Sequence, residues 1–334
     1  MVMKKLINHP DHVVDELIEG YVLANPKLVR KHPRVNAIIR ADAPVADKVG
    51  IEIGGGAGNE KLFLEYVGPG MADASAHGQI FAAPAPELIL EAIRAVHVGK
   101  GVMLLYNNYA GDCLNFDMAQ DMAREEGIEV ETVRVNDEIA SAPKGSEEDR
   151  RGTTADHVVI KMAGAAAETK LPLSEVVRVT RKAVAGSRSL GVGLSSCTLP
   201  ATGQDIFEIG DDEMEIGMGL HGEPGVERMK LLPADATVER MIPRIVEDLP
   251  YRGGDEVILV INGYGATTRM EMFIVNRKIR AMLAERKIGV YATDIGEFCT
   301  SQEMKGLSIT LVKVDSELKR FFDMPCKCPF YVRY

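Results

Sequence analysis

No run of 18 apolar residues occurs anywhere in the 334-residue sequence, so a membrane-spanning helix is not expected. The opening segment, MVMKKLINHPDHVVDELIEG, carries two lysines and then turns acidic without an apolar core of signal-peptide length. Cysteine is scarce and odd in number, with Cys113, Cys197, Cys299, Cys326 and Cys328 scattered along the chain. That pattern excludes a disulfide framework of the secreted type and fits a reducing cytoplasm. Positive charge is also short: 39 Lys+Arg against 49 Asp+Glu leaves a net charge of −10, which argues against nucleic acid or an anionic membrane as partner. Fixed-period repeats and low-complexity tracts are missing too, so solenoids and propellers are set aside.

What remains is an ordinary globular composition, 46% hydrophobic and 26% charged, in a chain long enough for roughly two domains. Short apolar runs alternate with helix-period segments. Val49 to Ile53 reads as a strand running into glycines, Pro86 to His97 as a helix, Val102 to Tyr106 as a strand and Asn115 to Glu126 as a helix. In Pro86 to His97, the apolar Ile89, Leu90, Ala92, Ile93 and Val96 form one stripe that must pack on a sheet. Asn136 to Thr154 has no periodicity and reads as a long loop, a class often functional or mobile. Helices are expected over Ala155 to Glu168, Leu173 to Arg188 and Met270 to Arg286, and strands over Glu256 to Asn262, Gly289 to Ile295 and Leu307 to Val314. The expected fold is α/β in two α/β domains, the first an open sheet flanked by helices. The texture changes at Gly186, which places the boundary there, giving domains 1–186 and 187–334.

Four local signals carry chemistry. Gly54-Gly-Gly-Ala-Gly58 follows a strand, where glycines permit positive φ and let a ligand approach bare amides. The dinucleotide pattern started at Gly54 would need glycine where Asn59 stands, and no Gly-Lys-Ser/Thr follows for a phosphate loop. A tight turn at a strand end explains the same glycines. Asn107-Asn-Tyr-Ala-Gly-Asp112 follows a second strand, and ligands in open α/β sheets sit beyond the carboxyl ends of strands. Asp112 reads equally as the N-cap of the next helix. His221 lies in Gly217-Met-Gly-Leu-His221-Gly-Glu-Pro-Gly225, a constrained loop that can present a neutral imidazole as nucleophile, base or metal ligand. Cys326-Lys-Cys328 is too close for a zinc half-site, and His9, His12 and His32 lack metal spacing, so no metal is expected in the chain. Met270, Met272 and Met282 read as core.

At these loops the sequence resembles the substrate-binding subunits of the dihydroxyacetone kinases. The resemblance is carried by Lys4-Lys-Leu-Ile-Asn8, Arg40-Ala-Asp-Ala-Pro-Val45, Gly54 to Gly58, Asn108-Tyr-Ala-Gly-Asp112, Arg150-Arg-Gly152, Gly219-Leu-His-Gly-Glu-Pro-Gly225 and Ile309 to Asp315, nearly the whole chain. It implies that His221 attacks the ketone carbon of a small ketose and holds it as a hemiaminal. A polyol, with no carbonyl, would not be captured. It further implies that Asp112 accepts the proton of the terminal hydroxyl during phosphoryl transfer and that Gly56 binds substrate through its backbone. It implies a homodimer that holds no cofactor itself and works with a nucleotide-binding kinase subunit carrying ADP or ATP with magnesium.

Three pocket positions depart from that pattern. Asn59 replaces a histidine that assists transfer, Ala83 replaces a serine, and Asn107 replaces a lysine. Asparagine exchanges hydrogen bonds but cannot shuttle a proton near pH 7. The changes point to a four-carbon or branched ketose, or to a ligand-sensing coactivator of a transcription factor that keeps hemiaminal capture. Asp112 favours catalysis, since a sensor needs no base.

Overall fold

The computed structural model describes residues 4–334, so the first three residues of the opening segment lie outside the description. Its helices are α1 (Val13–Ala24), α2 (Pro86–Val96), α3 (Ala110–Glu125), α4 (Asp156–Glu168), α5 (Leu173–Ala185), α6 (Ala234–Asp248), α7 (Arg269–Glu285) and α8 (Ser316–Asp323). Its strands are β1 (Val29–Lys31), β2 (Ala37–Arg40), β3 (Gly50–Ala57), β4 (Ala74–Ile80), β5 (Val102–Asn107), β6 (Val130–Val135), β7 (Ser187–Ser195), β8 (Glu213–Ile216), β9 (Glu227–Lys230), β10 (Glu256–Gly263), β11 (Gly289–Gly296), β12 (Lys305–Val314), β13 (Cys326–Lys327) and β14 (Val332–Arg333). The fold is α/β, with two sheets of six strands.

The chain forms two compact units, but not by one cut at 186. One unit comprises Leu6–Val135, Asp156–Lys182 and Ser316–Tyr334; the other, among the described residues, comprises residues 4–5, Asn136–Ala155 and Ala183–Asp315. The chain thus crosses between units near the expected boundary, between Lys182 and Ala183, and also at four other places, two of them at the ends of the aperiodic Asn136 to Thr154 segment.

In the first unit the sheet order is β1-β2-β4-β3-β5-β6, with β4, β3, β5 and β6 parallel and β1 and β2 antiparallel at one edge. The apolar stripe of α2 buries Ile89, Leu90, Ile93 and Val96 with Phe116 and Ala119 of α3 against Leu104 and Tyr106 of β5. Val14 and Ile18 of α1 form a second core with Ile38 and Leu64. The start of the sheet is fastened by Asp73, whose carboxylate accepts from the Ile51 amide (2.8 Å) and from Arg40 (2.7 Å) and pairs with Lys48. The Arg40 to Val45 motif therefore has a structural duty.

In the second unit the order is β11-β10-β12-β7-β8-β9, parallel only between β10 and β11. Its core joins Val257, Leu259 and Ile261 of β10 to Met241 and Ile245 of α6 and Val275 and Ile279 of α7. Thr268 caps α7 reciprocally with Glu271, which starts the helix one residue before the expected Met270. Met272 and Met282 are core as expected, whereas Met270 is 69% exposed, since it falls off the buried stripe.

The expected loop from Asn136 to Thr154 contains one short 3₁₀ turn, at Glu147–Asp149, and a single β-bridge from Glu138 to Ser189. It is nevertheless tied down: Asp137 accepts from the amides of Thr153 (2.7 Å) and Ala155 (3.0 Å).

Candidate functional site

The glycine cluster is strand, not loop. β3 runs on to Ala57, pairing Gly54, Gly55 and Gly56 with Ala76, His77 and Gly78 of β4. Only Gly58 takes a positive φ, +99°. Close approach explains the others: a Cβ at Gly54 would lie 2.6 Å from the Ala76 carbonyl oxygen and 3.1 Å from the Phe116 ring, and a Cβ at Gly56 would lie 2.6 Å from the Ala82 nitrogen. The absence of a side chain at Gly56 lets the Phe81–Ala82 turn fold back over the strand end. Beyond it, the Gly58 amide donates to Glu60 (2.9 Å), and Asn59 is buried at 5% exposure.

β5 ends at Asn107, and α3 begins three residues later. The N-cap is Tyr109, whose side chain makes no capping bond, so Asp112 stands inside the first turn rather than at the N-cap. The turn after Phe81 packs on that helix start: Asn115 donates to the Pro84 carbonyl (2.8 Å), and the Ala83 Cβ lies 3.5 Å from where a Cβ of Gly111 would be. This unit therefore brings Gly56, Ala83, Asn107 and Asp112 to one end of the parallel strands.

Two oxygens there lack a hydrogen-bond partner among the described residues. They are Oδ1 of Asn107 and Oδ1 of Asp112, both shielded from solvent. Burial pushes the Asp112 carboxyl up to about 7, with a backbone hydrogen bond pulling it partway back. A shielded carboxyl near neutrality and a second open acceptor at the same end of the strands suit a ligand that donates hydroxyl hydrogens.

In the other unit, His221 sits on the connection between β8 and β9. Gly217 (φ +82°) and Gly222 (φ +84°) turn the chain, and the Gly219 amide closes on the Glu223 carbonyl at 3.0 Å. Ser301 donates to the Leu220 carbonyl, fixing the residue before the histidine. The His221 side chain stays 24% exposed, and its amide donates to Glu223 Oε2 at 3.0 Å while Nδ1 lies 3.7 Å from Oε1. Burial opposes charge on Glu223, but attraction to His221, with Arg151 behind it, outweighs burial and holds the carboxyl at about 2. Arg151 donates to Glu138 at 2.8 Å.

Glu223, Arg151 and Glu138 are the residues the sequence reading left without a role. The only available signal was the glutamate two places after the histidine in the loop. Among the described residues no group of three or more His, Cys, Asp or Glu side chains could hold a metal ion, and no helix is long and apolar enough to cross a membrane.

The Dak1 domain model matches residues 19–330. The chain is 43% identical over 332 residues, 98% of its length and 99% of the relative's, to the PTS-dependent dihydroxyacetone kinase 2, dihydroxyacetone-binding subunit, of Listeria innocua. It is 37% identical over 329 residues to the D-erythrulose kinase of Mycolicibacterium smegmatis, covering 98% of this chain and 56% of that one. Among solved structures, the dihydroxyacetone kinase of C. freundii superposes with a TM-score of 0.90 at 29% identity, over 99% of this chain and 60% of that one. A dihydroxyacetone kinase operon co-activator matches with a TM-score of 0.87 at 28% identity, over 93% of this chain and 96% of that one.

Proposed function

The chain belongs to the Dak1 domain family, and from that membership we propose that it is the ketose-binding subunit of a kinase. It captures a small ketose and prepares its terminal hydroxyl for phosphoryl transfer from a nucleotide held by a partner subunit. The observation that carries this reading is Asp112, a carboxyl raised to about 7 with one oxygen shielded and unpartnered. A general base works best when its pKa lies near the working pH, because it is then largely deprotonated yet basic enough to take a proton.

The chemistry divides between two side chains. The imidazole of His221, on its glycine-bordered turn, adds to the ketone carbon and holds the substrate as a hemiaminal. Asp112 accepts the hydroxyl proton as that oxygen attacks phosphorus, a step otherwise governed by positioning and charge stabilisation. Gly56 and Asn107 hold substrate hydroxyls through backbone and amide oxygen, and Asn59 supplies hydrogen bonds but no proton. ADP or ATP with magnesium belongs to the partner.

The finer proposal is a four-carbon or branched ketose. Ala83 and Asn107 are smaller than the serine and lysine of the family pattern, which leaves room and removes donors that suit the triose. The erythrulose kinase likeness supports it. A second reading, a ketose sensor that coactivates transcription, is favoured by the likeness to the operon co-activator and by the loss of histidine at Asn59. The deciding experiment combines mass spectrometry of the purified chain with three- to five-carbon ketoses and a turnover assay with a nucleotide-binding subunit and ATP. A His221-dependent adduct with phosphorylation supports the kinase; an adduct without turnover in any subunit pairing supports the sensor; no adduct overturns both.

A further inference from the structure

The histidine loop has a feature that capture alone does not require: a carboxylate folded back against the imidazole and the loop backbone at once. Glu223 receives the His221 amide on Oε2 at 3.0 Å and lies 3.7 Å from Nδ1 through Oε1. The turn is shaped around this carboxylate, since a side chain at Gly219 would run into Oε2. Arg151 adds its attraction from behind. Arg151 is itself held by Glu138, which is 2% exposed and 2.8 Å away. Burial pushes the Glu138 carboxyl up to about 7, so the charges that bear on the ring are the carboxylate of Glu223 and the guanidinium of Arg151.

We propose that Glu223 is the positioning residue of His221: its carboxylate keeps the proton on Nδ1 and so presents Nε2, with its lone pair, as the atom that bonds the ketose. A carboxylate can only accept, so at 3.7 Å it favours a proton on the ring nitrogen that faces it and leaves the lone pair on the other. This deepens the ketose-capture reading and rests on it for its consequence, though not for its geometry. The step balances. The Nε2 pair forms the bond to the ketone carbon, the C=O π pair moves to oxygen, and the ring gains positive charge that faces Glu223. Loss of the Nδ1 proton to water and gain of one proton from water by the alkoxide leave a neutral hemiaminal. The low pKa of Glu223, about 2, keeps the carboxylate ionised throughout.

The test reads the tautomer in the free protein, before any ketose is added. Long-range ¹⁵N–¹H NMR of the full chain, with His221 assigned by loss of its signals in His221→Gln, is expected to show Nδ1 protonated. Glu223→Ala is expected to move His221 to the Nε2-protonated form and to weaken ketose adduct formation about tenfold to a hundredfold, the scale of losing the carboxylate behind a metal-bound histidine. Glu223→Gln keeps an acceptor oxygen, so it is expected to retain the Nδ1 tautomer and to fall between. An Nε2-protonated ring in the unmutated protein overturns the proposal whatever the variants do. So does a Glu223→Ala protein with unchanged tautomer and adduct level. If the unmutated protein forms no ketose adduct, the capture reading fails, and the tautomer still decides the role of Glu223.

Discussion

Arg150 is fully buried and meets both carboxylate oxygens of Asp248 at 2.8 and 2.7 Å, joining the segment after β6 to the end of α6 within one unit. Its Nε donates to the Ala142 carbonyl at 2.9 Å, and Asp248 also receives Arg188, so few polar atoms of the guanidinium go unused. Removing one partner of a buried ion pair leaves an uncompensated charge. Arg150→Ala is therefore expected to lower unfolding free energy by about 3–5 kcal/mol. Arg150→Lys should recover little, since an ammonium cannot make the bidentate fork. Urea denaturation checks this; a loss below about 1 kcal/mol for Arg150→Ala would contradict the pairing.

Glu52 gives the opposite sign. It lies in the middle of β3 beside Leu104 and Ala74, wholly buried, and neither carboxylate oxygen has a partner among the described residues. Burial raises its pKa well above the ordinary value. A carboxyl that keeps its proton when folded and loses it when unfolded makes stability fall as pH rises above the unfolded value near 4.3. Glu52→Leu should remove that slope and, at pH 7, stabilise the protein by about 1–3 kcal/mol, the cost of an unsatisfied buried polar group. Parallel pH slopes in the two proteins by denaturant titration would sink the assignment.

The same contrast explains how much of the molecule its sequence discloses. The stripe Ile89, Leu90, Ile93 and Val96 is buried as its spacing demands, and α2 ends one residue short of the expected His97. The apolar run Glu256 to Asn262 is a central strand because its side chains can be buried on both faces. β4, Ala74–Ile80, carries no such pattern; it reads ASAHGQI and owes its strand state to pairing with β2 and β3. α3 starts five residues before the expected Asn115, since Gly111 and Asp112 weaken the local helix signal while the packed Pro84 turn holds them in it. For the candidate site, the composition around His221 and the strand-to-helix motif ending at Asp112 point to those two residues, although Asp112 lies in the helix and not in the loop. Glu138 and Arg151 were not, because their relation to Glu223 joins segments roughly 70 to 85 residues apart and leaves no local mark.

The state of Asp112 predicts a pH profile. With the carboxyl at about 7, the ionised base is lost as pH falls through neutrality, so kcat/KM for ketose phosphorylation with the partner subunit should rise with pH to a plateau above about 7. Adduct formation at His221 should not follow the same curve in Asp112→Asn, which keeps shape and loses the base. That variant is expected to retain adduct mass and to lose turnover by about a hundredfold or more. Unchanged turnover in Asp112→Asn would show that another group takes the proton.

Substrate choice is the last consequence of the site. Ala83 faces Gly111 in the first turn of α3, its Cβ 3.5 Å from where a Cβ of that glycine would stand, and Asn107 ends the neighbouring strand with its amide oxygen open. Ala83→Ser would restore a hydroxyl, and Asn107→Lys would restore a charged donor while filling the space that an extra hydroxymethyl needs. Each donor placed against a substrate oxygen is worth about 1–2 kcal/mol, and one left unpaired costs as much, so the two together can move preference by roughly tenfold to a hundredfold. The double variant is therefore expected to gain in kcat/KM for dihydroxyacetone relative to erythrulose, measured in direct competition with the nucleotide-binding subunit present. The unmutated chain should prefer the four-carbon ketose under the same conditions. If it turns over the triose faster than every larger ketose, the enlarged-site argument fails, and if the double variant leaves the ratio unmoved, neither side chain faces the part of the substrate that distinguishes them.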